Sequence, residues 1–189
     1  FALLNYGYRI TGVGASDSHD VSRFIVGQGR TYIFCKDHDP AKIDIHEACA
    51  SLRAGRALIS LGLLVDMTVQ GHFRVGDLAT HLPEQIEVTA TVFAPKWSHA
   101  DHIEVYANGQ KLQETDASKA AWTLPRPKTD TYLVAIATGP GITSPHWAIP
   151  KPYQPSSKNW KPRVLGATNP IWLDCDGDGK FTALRLQKK

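Results

Sequence analysis

The sequence predicts an α+β chain that is mainly β: a short α/β fragment over 1–55, an immunoglobulin-like β-sandwich over 56–150, and a proline-rich connector with a C-terminal β-hairpin over 151–189. Three observations predict it. Helical spacing of apolar residues occurs only in two short stretches, both before Arg56. From Arg56 onward apolar and polar residues alternate in runs separated by turn residues, with no helix-length pattern between them. Residues 151–162 are rich in proline and serine, a composition that favours an extended connector over a packed element.

Taken in order, residues 1–8 place Phe1, Leu4 and Tyr8 at helical spacing and end in Asn-Tyr-Gly, which suits the last turns of a helix with Gly7 near its end. Residues 10–13 read as a buried strand, 20–30 as a loop, and 31–35 as a returning strand of high β-propensity. Asp44 followed by Glu47 is a capping box, Ile45, Cys49 and Leu52 share one helix face, and Gly55 stands at the C-terminal cap, so 44–55 should form an amphipathic helix of about three turns. Beyond it, Ala57, Ile59, Leu61, Leu63, Val65, Met67 and Val69 alternate along one run, and Ile86, Val88, Ala90 and Val92 along the next. Ile103, Val105 and Ala107 lead into Asn108-Gly109, the pair that supplies positive φ at both centres of a tight hairpin, with Leu112 on the returning strand. Residues 132–138 form another strand, Leu133 and Ala135 on one face and Tyr132, Val134 and Ile136 on the other.

Composition narrows the function classes. The 189 residues, 42% hydrophobic and 21% charged, suffice for a sizeable core. A formal charge of +3 with dispersed lysines and arginines forms no basic stripe, so nucleic-acid binding is not expected. No apolar run is long enough to span a membrane. Cys35, Cys49 and Cys175 form no Cys-x-x-Cys pair and read as small buried hydrophobes, with a disulfide between two of them left open.

The chemistry-bearing stretch is Gly12-Val13-Gly14-Ala15-Ser16-Asp17-Ser18-His19. Along an extended chain Asp17 and His19 lie on one face, roughly 7 Å apart at the backbone, where a carboxylate and an imidazole can converge on zinc, manganese or iron. A hydrogen-bonded turn is the competing use of the same pair. Ser16 and Ser18 make no serine hydrolase, since Gly-x-Ser-x-Gly is absent.

The string from Leu3 to His19, closing in Gly-Ala-Ser-Asp-Ser-His, resembles the final metal-binding motif of the PHP (polymerase and histidinol phosphatase) metallohydrolases, in the branch that includes the carbaryl hydrolases. The element Gly29-Arg30-Thr31-Tyr32-Ile33, the pair Gly76-Asp77 and the Asn-Gly hairpin after Ile103-Glu104-Val105-Tyr106 are similar to elements of that branch. The resemblance implies a distorted (β/α) barrel, of which 1–55 is the C-terminal fragment, and a multinuclear site in which Asp17 and His19 are the last ligands. It also implies an early His-x-His pair and further His and Glu ligands before this motif, so the chain is expected to be the C-terminal part of something longer. A secreted or periplasmic setting is slightly favoured by the resemblance alone.

Other residues carry weaker signals. Arg30 is a candidate for an anionic substrate group, against pairing with Asp20. His38 and His46 are the nearest additional metal ligands in sequence, against solvent-exposed histidines. His99, Asp101 and His102 cluster in a loop, and tryptophans 97, 122, 147, 160 and 172 either line a sugar face or anchor the core. Asp174, Asp176 and Asp178 with Gly179 match the first half of a calcium loop, but position 12 is Arg185; the alternative is a hairpin of 171–173 with 181–184.

Two functional classes follow. The first is a metal-dependent hydrolase of ester, carbamate or phosphoester bonds acting on a small molecule through metal-activated water. The second is a non-catalytic β-sandwich that binds a glycan or partner domain and carries a vestigial barrel segment. Protons compete with metal for imidazole, so hydrolysis should rise between about pH 5.5 and 8. Open sheet edges and apolar surface predict a homo-oligomer.

Overall fold

A computed structural model describes residues 1–19, 25–151 and 159–187. The elements are α1 (Ala2–Asn5), β1 (Arg30–Ile33), a 3-10 turn (Pro40–Lys42), α2 (Ile45–Arg53), β2 (Ala57–Leu61), β3 (Leu64–Val69), β4 (Leu78–Ala79), β5 (Gln85–Phe93), β6 (His102–Ala107), β7 (Gln110–Thr115), β8 (Lys119–Pro125), β9 (Thr131–Pro140), β10 (Arg163–Thr168) and β11 (Ile171–Leu173). The chain is mainly β, as the alternation predicts, and its strands form two open sheets that pack face to face.

β9 is the spine of the larger sheet. One edge pairs with β6, which continues to β7; the other is shared by β10 towards its end and β11 towards its start. β10 leads on to β2 and β1, all antiparallel, while β11 pairs in parallel with β4. The smaller sheet is β3-β5-β8. Between the sheets Val65, Met67 and Val88 meet Ile103, Leu133 and Ala135, all essentially removed from water. Each such aliphatic side chain contributes about 1.5–3 kcal/mol relative to exposure.

The outer face of β9 is also covered. Tyr132 and Val134 pack with Trp172, Leu4 of α1 and Phe181, and the Arg9 guanidinium lies 4.6 Å over the Trp172 ring. Both faces of β9 therefore divide as the period of two predicts, and Asn108-Gly109, with φ of 51° and 82°, makes the β6–β7 turn.

Several expectations are corrected. The alternating run over 57–69 is two strands in different sheets, because the backbone turns at Gly62 (φ +90°) and a Cβ there would lie 2.9 Å from Trp147. Residues 10–13 form no strand, and Ile10 and Val13 are exposed, since their segment is held by side chains rather than by a ladder. The hairpin of 171–173 with 181–184 does not form: β11 takes β9 and β4 as neighbours, and 181–184 has no strand. Helix α2 is capped by Asp44, whose carboxylate accepts from the N–H groups of His46 and Glu47, but Glu47 turns to the N–H of Lys36 instead of closing the box. Its expected apolar face is turned outward, with Ile45 and Cys49 exposed. Of the cysteines only Cys175 is buried, and all three are free thiols.

Two strands the alternation left unread are β8 and β10. In β10 the inward positions are Val164, Gly166 and Thr168, and glycine is required because a Cβ at 166 would lie 2.8 Å from the carbonyl of Leu63. The expected connector falls mostly on 152–158, outside the described residues.

Candidate metal-ligand pair

Residues 8–19 join no strand ladder, and the backbone groups of Gly12 and Gly14 are satisfied by side chains from distant elements. The Asn169 amide accepts from the N–H of Gly12 at 2.7 Å and donates to the carbonyls of Gly12 and Ala57 at 3.0 and 2.8 Å. The Thr31 hydroxyl accepts from the N–H of Gly14 and donates to its carbonyl, both at 2.9 Å. Thr11 donates to the carbonyl of Leu52 at 2.7 Å. Gly14 is needed for closeness: a Cβ there would lie 2.6 Å from the carbonyl of Arg30, and one at Gly29 would lie 2.5 Å from that of Ala15. The motif is thereby held against the start of β1.

At its end Asp17 adopts a left-handed conformation (φ 51°), so the chain is not extended through the pair. The two side chains nevertheless meet, His19 Nδ1 lying 3.4 Å from Asp17 Oδ1, with both side chains mostly exposed at 65% and 84%. The Ser16 hydroxyl accepts from Ser18 at 2.9 Å and from the N–H of Gly27 at 3.2 Å, which ties the tip of the motif to the loop before β1. A distance of 3.4 Å exceeds a good N–H···O bond, about 2.7–3.2 Å. It equals the spacing, about 3.4 Å, of two ligand atoms each about 2.05 Å from a tetrahedral zinc. The donor set and its spacing thus fit a borderline divalent ion, but they provide two ligands where such a site keeps at least three.

The other expected site residues are not gathered there. His38 and His46 are exposed, and no group of three metal-ligating side chains among the described residues contains Asp17 or His19. Arg30 donates from Nε to the carbonyl of Gly27 at 2.7 Å; Asp20, its alternative partner, lies outside the described residues.

The calcium-loop aspartates are partly brought together. Asp174 and Asp176 are joined by Asp130, the residue before β9, the carboxylates of Asp130 and Asp174 being buried. Asp178 is not in this group and accepts from the N–H of Lys180. Each buried carboxylate already accepts two backbone N–H bonds, Asp130 from Cys175 and Thr182, Asp174 from Gly177 and Gly179. Burial pushes the Cys175 thiol beside them up to about 12. Arg185 sits over Tyr6.

A third cluster was missed by sequence, because the turn residues alone would set Glu104 opposite Gln113. The Asn108-Gly109 turn sets Tyr106 opposite Lys111, and a register shift between Val105 and Tyr106 then brings Glu104 opposite Glu114, with His102 two residues before Glu104 on the same face. His102 Nε2 lies 3.4 Å from Glu114 and 3.7 Å from Glu104, its Nδ1 lies 2.7 Å from Asp116, and Lys111 pairs with both glutamates. The bond to Asp116 raises the imidazole pKa, and the Tyr106 hydroxyl holds the Glu104 carboxyl below its usual range. His99 and Asp101 stay exposed outside this group.

Compared with models of protein families, with curated proteins and with solved structures, the chain finds no match.

Proposed function

We propose that Asp17 and His19 are two ligands of a divalent metal centre, zinc or manganese before iron, in a hydrolase of small-molecule ester, carbamate or phosphoester bonds. Residues 1–55 are then the end of a PHP-type (β/α) barrel, and the β-rich remainder is an immunoglobulin-like module. The observation that carries the reading is the 3.4 Å approach of His19 Nδ1 to Asp17 Oδ1 at the end of a segment pinned by Asn169 and Thr31. A divalent ion held there would lower the pKa of water and polarise the substrate's carbonyl or phosphoryl oxygen. The chain's own contribution is orientation: the Asn169 and Thr31 bonds fix the backbone from which the ligands project. The third ligand must come from beyond the pair.

Metal analysis of the purified protein tests this. Stoichiometric zinc or manganese, lost in Asp17→Asn and His19→Ala while the fold is kept, supports it; no metal retained at micromolar concentration overturns it. The second reading, a non-catalytic module binding a glycan or partner, draws on the exposure of the pair and the absence of a third ligand near it among the described residues.

Two further proposals complete this reading. Self-association through the exposed apolar side chains of Leu3, Tyr6, Ile10 and Val13 is checked by sedimentation, and a monomer at tens of micromolar refutes it. Calcium at Asp130, Asp174 and Asp176 is checked by melting with calcium against chelator, and an unchanged midpoint removes it.

A further inference from the structure

Where the chain leaves β2 for β3, the two strands enter different sheets and a cleft of about 290 Å³ opens beside the crossing. Its walls are aromatic. Trp147, buried and seated against Gly62, meets Trp97 at 4.9 Å between ring centroids, and Tyr32, Phe93 and Leu63 are among the other lining residues. The backbone behind Trp147 is fixed by the buried Gln28 amide, which donates to the carbonyls of Trp147 and Ala148 at 3.1 and 3.0 Å. Among the described residues that line the cleft, Arg30 alone is charged. Its Nε is committed to the carbonyl of Gly27, which orients the guanidinium, and its terminal N–H groups have no carboxylate partner among the described residues.

An apolar aromatic slot with one oriented guanidinium at its rim, without a carboxylate partner among the described residues, has a definite chemical complement. Flat rings stack on tryptophan faces, and a carboxylate gains a charge-assisted fork from arginine. We infer that this cleft binds a small aromatic acid, its ring against Trp97 and Trp147 and its carboxylate on Arg30. The inference goes beyond the metal reading and does not depend on it, since no residue of the slot is a proposed ligand.

The test is a ligand-observed NMR titration of the full chain in excess chelator with indole-3-acetate and, as the neutral control, indole. The wild type should saturate with the acid and prefer it over indole by about tenfold or more, the low end for one hydrogen bond to a charged group. Arg30→Met should remove that preference while leaving indole binding in place, and Arg30→Lys should keep part of it. Trp97→Ala, at a residue 42% exposed, should weaken both probes alike. Binding of the acid no tighter than indole, a preference surviving in Arg30→Met, or failure of both probes to saturate in the millimolar range overturns the inference.

Discussion

Replacing Asn169 by alanine should damage both the fold and the placement of the Asp17–His19 pair, because one buried amide holds three backbone groups. It is 3% exposed and bridges Gly12, which is 157 residues away in sequence, to Ala57 of β2. Each bond contributes about 1 kcal/mol net, and the buried carbonyl of Ala57 left without this donor adds a desolvation cost of about 1–3 kcal/mol. Partial solvation of Gly12 offsets some of that, so the total is about 3 kcal/mol, a large share of a typical stability of about 5–15 kcal/mol. With a urea slope of about 2–3 kcal/mol/M, the midpoint should fall by roughly 1 M. Asn169→Asp should be no better than alanine, since it keeps the acceptor for Gly12 but sets a carboxylate against two carbonyl oxygens. The assay is urea unfolding followed by tryptophan fluorescence, with zinc affinity measured on the folded variants. A midpoint unchanged in both variants would refute the idea that Asn169 clamps the motif to the sheet.

Gly62→Ala should cost about 2 kcal/mol in the same assay, from the left-handed backbone and the encounter with Trp147; an unchanged midpoint would mean that the strand can switch sheets without glycine. Asp130→Ala orphans the N–H groups of Cys175 and Thr182 and should lower stability by about 2–4 kcal/mol, read as a drop in the melting temperature. The His102 imidazole should titrate above its ordinary 6.5 by NMR, and Asp116→Asn should bring it down. Because the folded value is raised, the stabilisation is present below the unfolded pKa and lost as pH rises through the folded one; Asp116→Asn should therefore matter at pH 5.5 and not at pH 9, by a modest amount because the pair is exposed to solvent. An equal effect at both pH values would assign Asp116 a non-ionic role.

Periodicity carried far in this chain because most strands have one face on a shared core. The alternation in β5, the two faces of β9, the Asn108-Gly109 turn and the Asp44 cap are local rules, and the structure follows them. The run over 57–69 misled because its apolar phase continues through Gly62, while the chain changes sheets there and buries Leu58 and Ser60 before the turn and Leu63 and Val65 after it. Residues 10–13 misled for a related reason: apolar composition favours a strand, but no strand offers them an edge, and Asn169 and Thr31 take up the backbone groups instead.

The sequence by itself determined the β-rich class, the two helices and the hairpin, and it singled out Asp17 and His19 as the candidate pair, since each rests on residues within a few positions of one another. Tertiary structure alone decided that Asp130 joins Asp174 and Asp176, that Glu104 and Glu114 close around His102, and that Arg30 stands at the rim of an aromatic slot with Trp97 and Trp147. The physical reason is common to all three: each unites side chains from separate strands or loops, and their approach is set by strand register and by where the two sheets part, which no local pattern encodes.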